Sequence, residues 1–411
     1  MPVAESVFLN EGGFDPSKPE LIADPYSTYR YLQENDPVHW SEAMGGWLIT
    51  RYDDVRKVLR DPQTFSSERV TTYFGQLPQE FQTMASVLSS WLVFLDPPDH
   101  ARVRSLGAKA FTDIVLQELQ PRLGRIISET ITPLIDKGQF DALHDLGYPL
   151  AIRVTSELLG VSPEDVAQVD EWEVKVSQFI MGVFMENKEE TARIHTEYLV
   201  EYFTKLAHDR RLSPRADMLS ALVAENENEE QDRLSAMEVI SVATQILTAG
   251  RDTSALWIAN GIYSLLEFPE QRHMLWDQPD MVPSGIEELL RFLGPVELLA
   301  RIVRNETTIG DITLHPNDRV YLSVGAANRD PRIFDQADEV VVTRNPIRHV
   351  AFGWGPHFCI GAGLARSEVR QVFEQLIAGT SEIRPMFDAV EFKPNFSARC
   401  VTQLPIEVVA R

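Results

Sequence analysis

Cysteine is scarce: the 411-residue chain holds two, Cys359 and Cys400, too few for a disulfide scaffold, a four-cysteine zinc site or an iron–sulfur cluster. Long apolar runs are missing as well. The most apolar short runs, residues 91–95 and 240–250, fall well short of the roughly 18 to 20 residues that span a bilayer. The start of the chain carries Glu5, Asn10, Glu11, Asp15 and Glu20 and offers no apolar stretch for a secretory signal, so a cytoplasmic location without membrane attachment is expected. Positive charge is in deficit, with 38 Lys and Arg against 61 Asp and Glu and a net charge of −23, which argues against nucleic acid and anionic lipid as general partners. There is no Gly-x-Gly-x-x-Gly dinucleotide loop, no internal repeat and no low-complexity linker. One domain over residues 1–411 is the expectation.

What is present is an ordinary globular mix, 44% hydrophobic and 24% charged, enough to bury a large core. Short strand patterns flank Gly45-Gly46, recur over 297–345 and return over 380–411. Helical signals dominate from about 121 to 268, and a second helical run follows Gly363. Ser235 and Glu238 form a capping-box pattern, and the apolar run after them lasts until Pro269. A helix over 236–267 would be about 48 Å long. Its first half, 239–250, is apolar on nearly every face and should lie buried through the middle of the domain.

The most specific pattern is Phe352-Gly353-Trp354-Gly355-Pro356-His357-Phe358-Cys359-Ile360-Gly361. Three glycines permit a tight backbone around the sulfur, and a helix start just after Cys359 favours a thiolate. The segment resembles the cysteine-ligand loop of the cytochrome P-450 haem-thiolate oxygenases, Phe-Gly-x-Gly-x-His-x-Cys-x-Gly, a match expected by chance on the order of once in a million such chains. The resemblance implies a mainly α fold with small β-sheets, holding haem b (iron protoporphyrin IX) between the long central helix and the loop. Cys359 would be the axial ligand to the iron, with Phe352, Gly353 and Gly361 forming the cofactor's bed. A thiolate ligand donates electron density that favours O–O cleavage.

Three further segments match the family in order. Ala249-Gly250-Arg251-Asp252-Thr253, in the middle of the long helix, resembles its acid–alcohol pair. Ala249 and Gly250 would leave room for dioxygen, Asp252 and Thr253 would manage protons, and the turn should be weakened or widened. Arg251 could pair with Asp252 or point away. Glu288-Leu289-Leu290-Arg291 matches a Glu-x-x-Arg pair that, joined by Arg344, would form a buried structural network. Asp96-Pro97-Pro98-Asp99-His100 through Arg104, with Arg301 and His349, would supply the cations for the haem propionates. By position, substrate would meet Phe74, Phe81, Met84, Trp91 and Leu92 from the loop over 71–93. Gln245, Thr248 and Ala249 would join them from the helix, and Val296, Glu297 and Leu298 from the facing wall. Glu297 could anchor an amine or hydroxyl, or be a solvated loop carboxylate.

The expected activity is a monooxygenase that hydroxylates or epoxidises an apolar small molecule with dioxygen. Electrons would come from a ferredoxin and its reductase, since two cysteines cannot hold a cluster, and the chain would act as a monomer. A peroxide-driven oxygenase, a coupling, desaturation or rearrangement enzyme, and a haem sensor or electron carrier are the alternatives. Two windows, 100–112 and 344–370, each carry three net positive charges in an otherwise acidic chain. They would steer an acidic ferredoxin to the cysteine side.

Overall fold

The computed structural model describes residues 13–70, 78–111, 113–180, 188–227, 233–395 and 397–411. Its axis is the helix Ala236–Glu267. The Ser235 hydroxyl accepts from the Glu238 amide (3.2 Å) and the Glu238 carboxylate accepts from the Ser235 amide (2.7 Å), so both halves of the capping box form. The helix stops at Phe268 because Pro269 opens the next one, Pro269–Asp277. Every residue from Val239 to Gln245 is buried, so the helix is wrapped on all sides, as an all-round apolar stretch requires. Tyr148–Leu159, Val282–Phe292 and Ala362–Gly379 are among the helices packed around it.

One expectation about the middle of this helix fails. The turn at Gly250–Thr253 is neither broken nor widened: α-helical bonding runs straight through it, and the Thr253 hydroxyl donates to the Ala249 carbonyl at 2.5 Å without prising the helix apart. Gly250 serves helix packing, because a Cβ there would fall 2.4 Å from Cγ2 of Thr155 on Tyr148–Leu159. That is a close approach only glycine allows.

Beside the helices stands a five-stranded sheet in the order Val38–Ser41, Gly46–Ile49, Arg319–Ser323, Leu298–Val303, Phe65–Ser66. Gly46–Ile49 runs parallel to Arg319–Ser323 and the other pairs are antiparallel. Thr307–Ile309 and Ile312–Leu314 form a separate hairpin, and Thr380–Pro385 and Pro405–Ala410 join Gln139–Asp141, a strand with no sequence signal of its own.

The Glu288 network ties the helices to the segment leading into the cysteine loop. Arg291 is fully buried and meets Glu288 bidentately at 2.7 and 2.8 Å. It also donates to the carbonyls of Asn328, Ala337 and Glu339 at 2.7–2.9 Å. Arg344 completes the set, 3.0 Å from Glu288. Every charge here has a partner, the condition under which a buried ion network is tolerated.

Candidate active site

The cysteine loop is shaped by two glycines with positive φ, Gly353 (73°) and Gly355 (71°), and Gly355 also passes so near the Leu59 carbonyl that a Cβ would lie 2.7 Å from it. Gly361, at φ −86°, needs no glycine conformation. The Cys359 amide donates to the Phe352 carbonyl at 2.9 Å, and Arg104 donates to the Phe358 carbonyl at 2.6 Å, so the sulfur projects from a fixed turn. Its outer face is accessible. Protein packed behind the sulfur nevertheless desolvates it and raises the thiol's pKa, outweighing the Gly361 amide, the Arg104 and Arg366 guanidiniums and the Ala362 amide, which all pull it down. The helix start assists the thiolate but does not by itself secure it, and coordination to a metal would deprotonate the thiol outright.

Beside the loop lies a cluster of cations short of anions. Arg301 is buried, and burial, with Arg69 as its neighbour, lowers its pKa to about 10. The rings of His100 and His357 are 4.0 Å apart. Burial followed by Arg104 and Arg301 brings His100 to about 4. Burial followed by Arg301, His100, Arg104 and Arg69 brings His357 to about 3. His100 Nε2 is buried and has no partner among the described residues, while His357 Nε2 lies 3.1 Å from the Ser67 hydroxyl. The nearby carboxylate, Asp96, is already taken by the Ser66 hydroxyl, the Ser67 amide and Arg304. An unpartnered imidazole nitrogen among desolvated guanidiniums fits a group that brings two carboxylates of its own.

His349 does not belong to this cluster. Its Nε2 lies 3.1 Å from Glu287, which Arg366 also grips at 2.8 and 2.9 Å. Burial would push the Glu287 carboxyl up, but these two partners hold it at about 2. The histidine that does face the cations is His357, two residues before Cys359. Its place within the cysteine motif was the available signal.

On the central helix Ala249 is exposed, with Ile246 and Thr253, three residues before and four after, half-buried on the same face. An accessible strip there marks an open space against an otherwise enclosed helix. The other face is locked to Val166–Ile180. Arg251 pairs with Asp252 (2.5 Å) and reaches Asp170 (2.5 Å) and Glu173 (3.2 Å), its guanidinium 4.4 Å from the Tyr148 ring centre. The second oxygen of Asp252 accepts from the Ser177 hydroxyl. Both oxygens of the acid are therefore engaged, and the pairing alternative for Arg251 is the one realised. Glu173 is wholly buried. Burial, then the charge of Asp252, raises its carboxyl pKa well above the usual range despite Arg251. Asp170, Glu173 and Ser177 carry no sequence motif and are recognisable only once the two helices are paired.

Several expected substrate contacts are placed differently. Glu297 is not a solvated carboxylate. It is buried beside Arg399, Tyr29 and Arg329, and burial raises its pKa. Leu298 joins a core with Phe14, Leu21 and Tyr29. Both line a cavity of about 30 Å3 between the two ends of the chain. Val296 bridges to Ala398. Phe81, Met84 and Trp91 pack in a core with Leu88, Phe94 and Ala192. Trp91 donates to Thr244 (3.2 Å) and the Leu92 amide to Gln245 (2.7 Å), so these positions tie the loop to the central helix. Thr248 is buried, its hydroxyl beside the Glu173 carboxyl. Phe74 lies outside the described residues.

The two basic windows are largely neutralised by acids from elsewhere. Arg102 pairs with Glu238, Lys109 with Glu225 (2.7 Å), Arg366 with Glu287 and Arg370 with Glu374 (3.6 Å). Arg348 remains exposed without an ion pair among the described residues.

Comparison with known proteins agrees with this geometry. The sequence pattern of the family described as Cytochrome P450 matches residues 38–282 and 279–379. The chain is 32% identical to "Cytochrome P450 CYP107DY1" of Priestia megaterium, over 95% of this chain and 98% of that protein. It is 35% identical to "Mycinamicin IV hydroxylase/epoxidase" of Micromonospora griseorubida, over 87% and 88%. Among solved structures it superimposes on P450BioI, determined in complex with an acyl carrier protein ligated to hexadec-9Z-enoic acid, with a TM-score of 0.85, 29% identity and coverage of 95% and 100%. The chain belongs to the cytochrome P-450 family and is a haem-thiolate monooxygenase.

Proposed function

We propose that this enzyme hydroxylates or epoxidises a mainly apolar small molecule in the cytoplasm, as a single-domain monomer supplied with electrons by a ferredoxin and its reductase. The observation that carries this is a cysteine loop adjoined, among the described residues, by the unpartnered His100 nitrogen and by arginines without carboxylate partners, together with an accessible strip on the central helix, Ile246 and Ala249, ending in the Thr253 hydroxyl. Haem, when bound, supplies dioxygen activation and the oxidising equivalent. Cys359 ligates it, and His100, Arg104, Arg301 and His357 hold its carboxylates. Thr253 offers a hydroxyl at the distal strip, and Asp252, close by on the helix, is the acid from which protons would pass. Both oxygens of Asp252 are engaged, so its contact with Arg251 or Ser177 must open for it to work. Two of the three named relatives, one a hydroxylase/epoxidase and one determined with an acyl carrier protein carrying a long-chain acyl group, support a bulky, largely hydrocarbon substrate. No described helix is long and apolar enough to cross a membrane, and two cysteines in 411 residues cannot hold an iron–sulfur cluster, which supports a separate electron donor.

The reduced, carbon monoxide-bound spectrum tests the thiolate: Cys359→Ser should abolish its diagnostic band. Turnover with dioxygen, NAD(P)H, ferredoxin and ferredoxin reductase tests the rest. A second reading, a peroxide-driven oxygenase, is favoured by the double engagement of Asp252, and strict dependence on added peroxide would establish it.

A further inference from the structure

Arg69 follows the edge strand Phe65–Ser66 and was marked by no motif. Its Nη1 donates to the Ala300 carbonyl at 2.8 Å, and Arg301 Nη1 donates to that same carbonyl at 2.8 Å. Two guanidiniums thus converge on one neutral oxygen. Neither has a carboxylate partner among the described residues, and each has four further N–H donors beyond the one it uses there. Part of Arg69 stays accessible, but burial of its charged end draws its pKa down to about 10, and Arg69 in turn helps depress Arg301. The pair is prepositioned: the Arg69 guanidinium sits 4.9 Å from the Phe94 ring centre, Phe94 stacks with Trp91 at 6.2 Å, and Trp91 is bonded to Thr244 of the central helix. Around them Arg69, Arg301 and Arg304 share only Asp96 and Glu68 among the described residues, a local excess of one positive charge, and Arg104 stands nearby beside Cys359. Holding two desolvated like charges on one neutral acceptor is costly, and an anion between them would offset that cost.

We propose that Arg69 and Arg301 form a two-guanidinium site for a carboxylate that the polypeptide does not supply, with Arg69 as a ligand-binding residue. The planar forks suit a carboxylate bridging them. Two sources have that chemistry: a propionate of the haem, or the acid end of a substrate whose hydrocarbon part lies along the distal strip. The second rests on the substrate reading above, whereas the first does not depend on turnover.

The test uses the holoenzyme with R69Q, and with R69K, which keeps the charge but not the fork. Haem transfer to excess apomyoglobin is timed, and dodecanoic acid and methyl dodecanoate are titrated against the haem absorbance. If the partner is a propionate, R69Q should speed haem transfer about tenfold or more and leave the acid-to-ester preference unchanged. If it is a substrate acid, haem transfer should hold while the acid weakens about tenfold relative to the ester. R69K should show a smaller change in the same arm. Unchanged haem transfer together with equal changes for acid and ester, or with neither ligand binding the wild type, overturns the proposal. If R69Q does not accumulate with a wild-type carbon monoxide spectrum, the same readings on R69K decide it.

Discussion

Glu173→Gln is the sharpest probe of the latch between Val166–Ile180 and the central helix. Three carboxyl groups, Asp170, Glu173 and Asp252, compete for one guanidinium, with the Thr248 hydroxyl and Tyr148 ring as the remaining neighbours. Full burial and the charge of Asp252 outweigh Arg251, so Glu173 keeps its proton in the folded protein at pH values where an unfolded glutamic acid, with a pKa of about 4.3, has lost it. Between those two values the folded state binds one proton more than the unfolded state. Unfolding free energy therefore falls with rising pH by about 1.4 kcal/mol per unit from this group alone. Glutamine has the shape of the neutral acid and removes the linkage. As pH rises above the unfolded value the variant should therefore gain on the wild type, by at most about 1.4 kcal/mol per pH unit while Glu173 stays protonated in the folded protein. Urea unfolding of the holoenzyme at pH 5.5, 6.5 and 7.5 and fixed ionic strength, followed by tryptophan fluorescence and haem absorbance, measures the difference. Parallel pH dependences would refute the argument. So would a loss of about 3 kcal/mol or more in the variant at pH 5.5, which would mean that an ionised Glu173 pairs with Arg251.

Other expectations follow from single contacts. Arg291→Met leaves Glu288 buried without its bidentate partner and should cost about 3 to 5 kcal/mol, read as loss of haem-containing protein and of the urea midpoint. Gly250→Ala gains helix propensity but drives a Cβ to 2.4 Å from Thr155, so it should destabilise by about 1 to 3 kcal/mol; the added change Thr155→Ser, which removes the clashing methyl, should recover most of the loss in the same denaturation assay, and no recovery would assign Gly250 another role. Arg348→Glu should slow reduction by ferredoxin more at low salt than at high, whereas Lys109→Glu should do so less, because Lys109 already has Glu225; equal effects in stopped-flow reduction would argue against selective steering.

The parts legible in the sequence are those whose physical cause is local. Capping at Ser235 and the stop at Pro269 depend on residues three apart or adjacent, and the central helix came out within its expected bounds. Cys359, Arg291 and Glu288 were readable for a similar reason, since their motifs are contiguous. What was not readable required partners distant in the chain. His349 is drawn to Glu287, 62 residues away, and Glu297 is pulled toward Tyr29 and Arg399 from the two ends of the molecule. The strand Gln139–Asp141 exists because Pro405–Ala410 offers it an edge. The basic windows overstate the positive charge left without a partner, because net charge along the sequence says nothing of Glu238 or Glu225 folding onto them.

The central helix shows most sharply why a motif fixes chemistry without fixing direction. Residues 249–253 occupy about one and a half turns, so they cannot all face the same space. Ala249 and Thr253, four apart, share the open strip, while Gly250 is pressed on Thr155 and Arg251 and Asp252 turn to Val166–Ile180. The acid and the alcohol, adjacent in sequence, thus belong to different environments, one charged and closed, the other accessible. Communication between them must pass through the release of Asp252 from Arg251 or Ser177. Any displacement of Val166–Ile180 would loosen both contacts together, because Ser177 lies on that helix and Arg251 is anchored there by Asp170 and Glu173. In this chain, then, the seating of that helix and the freedom of the acid to pass protons are set by the same four side chains.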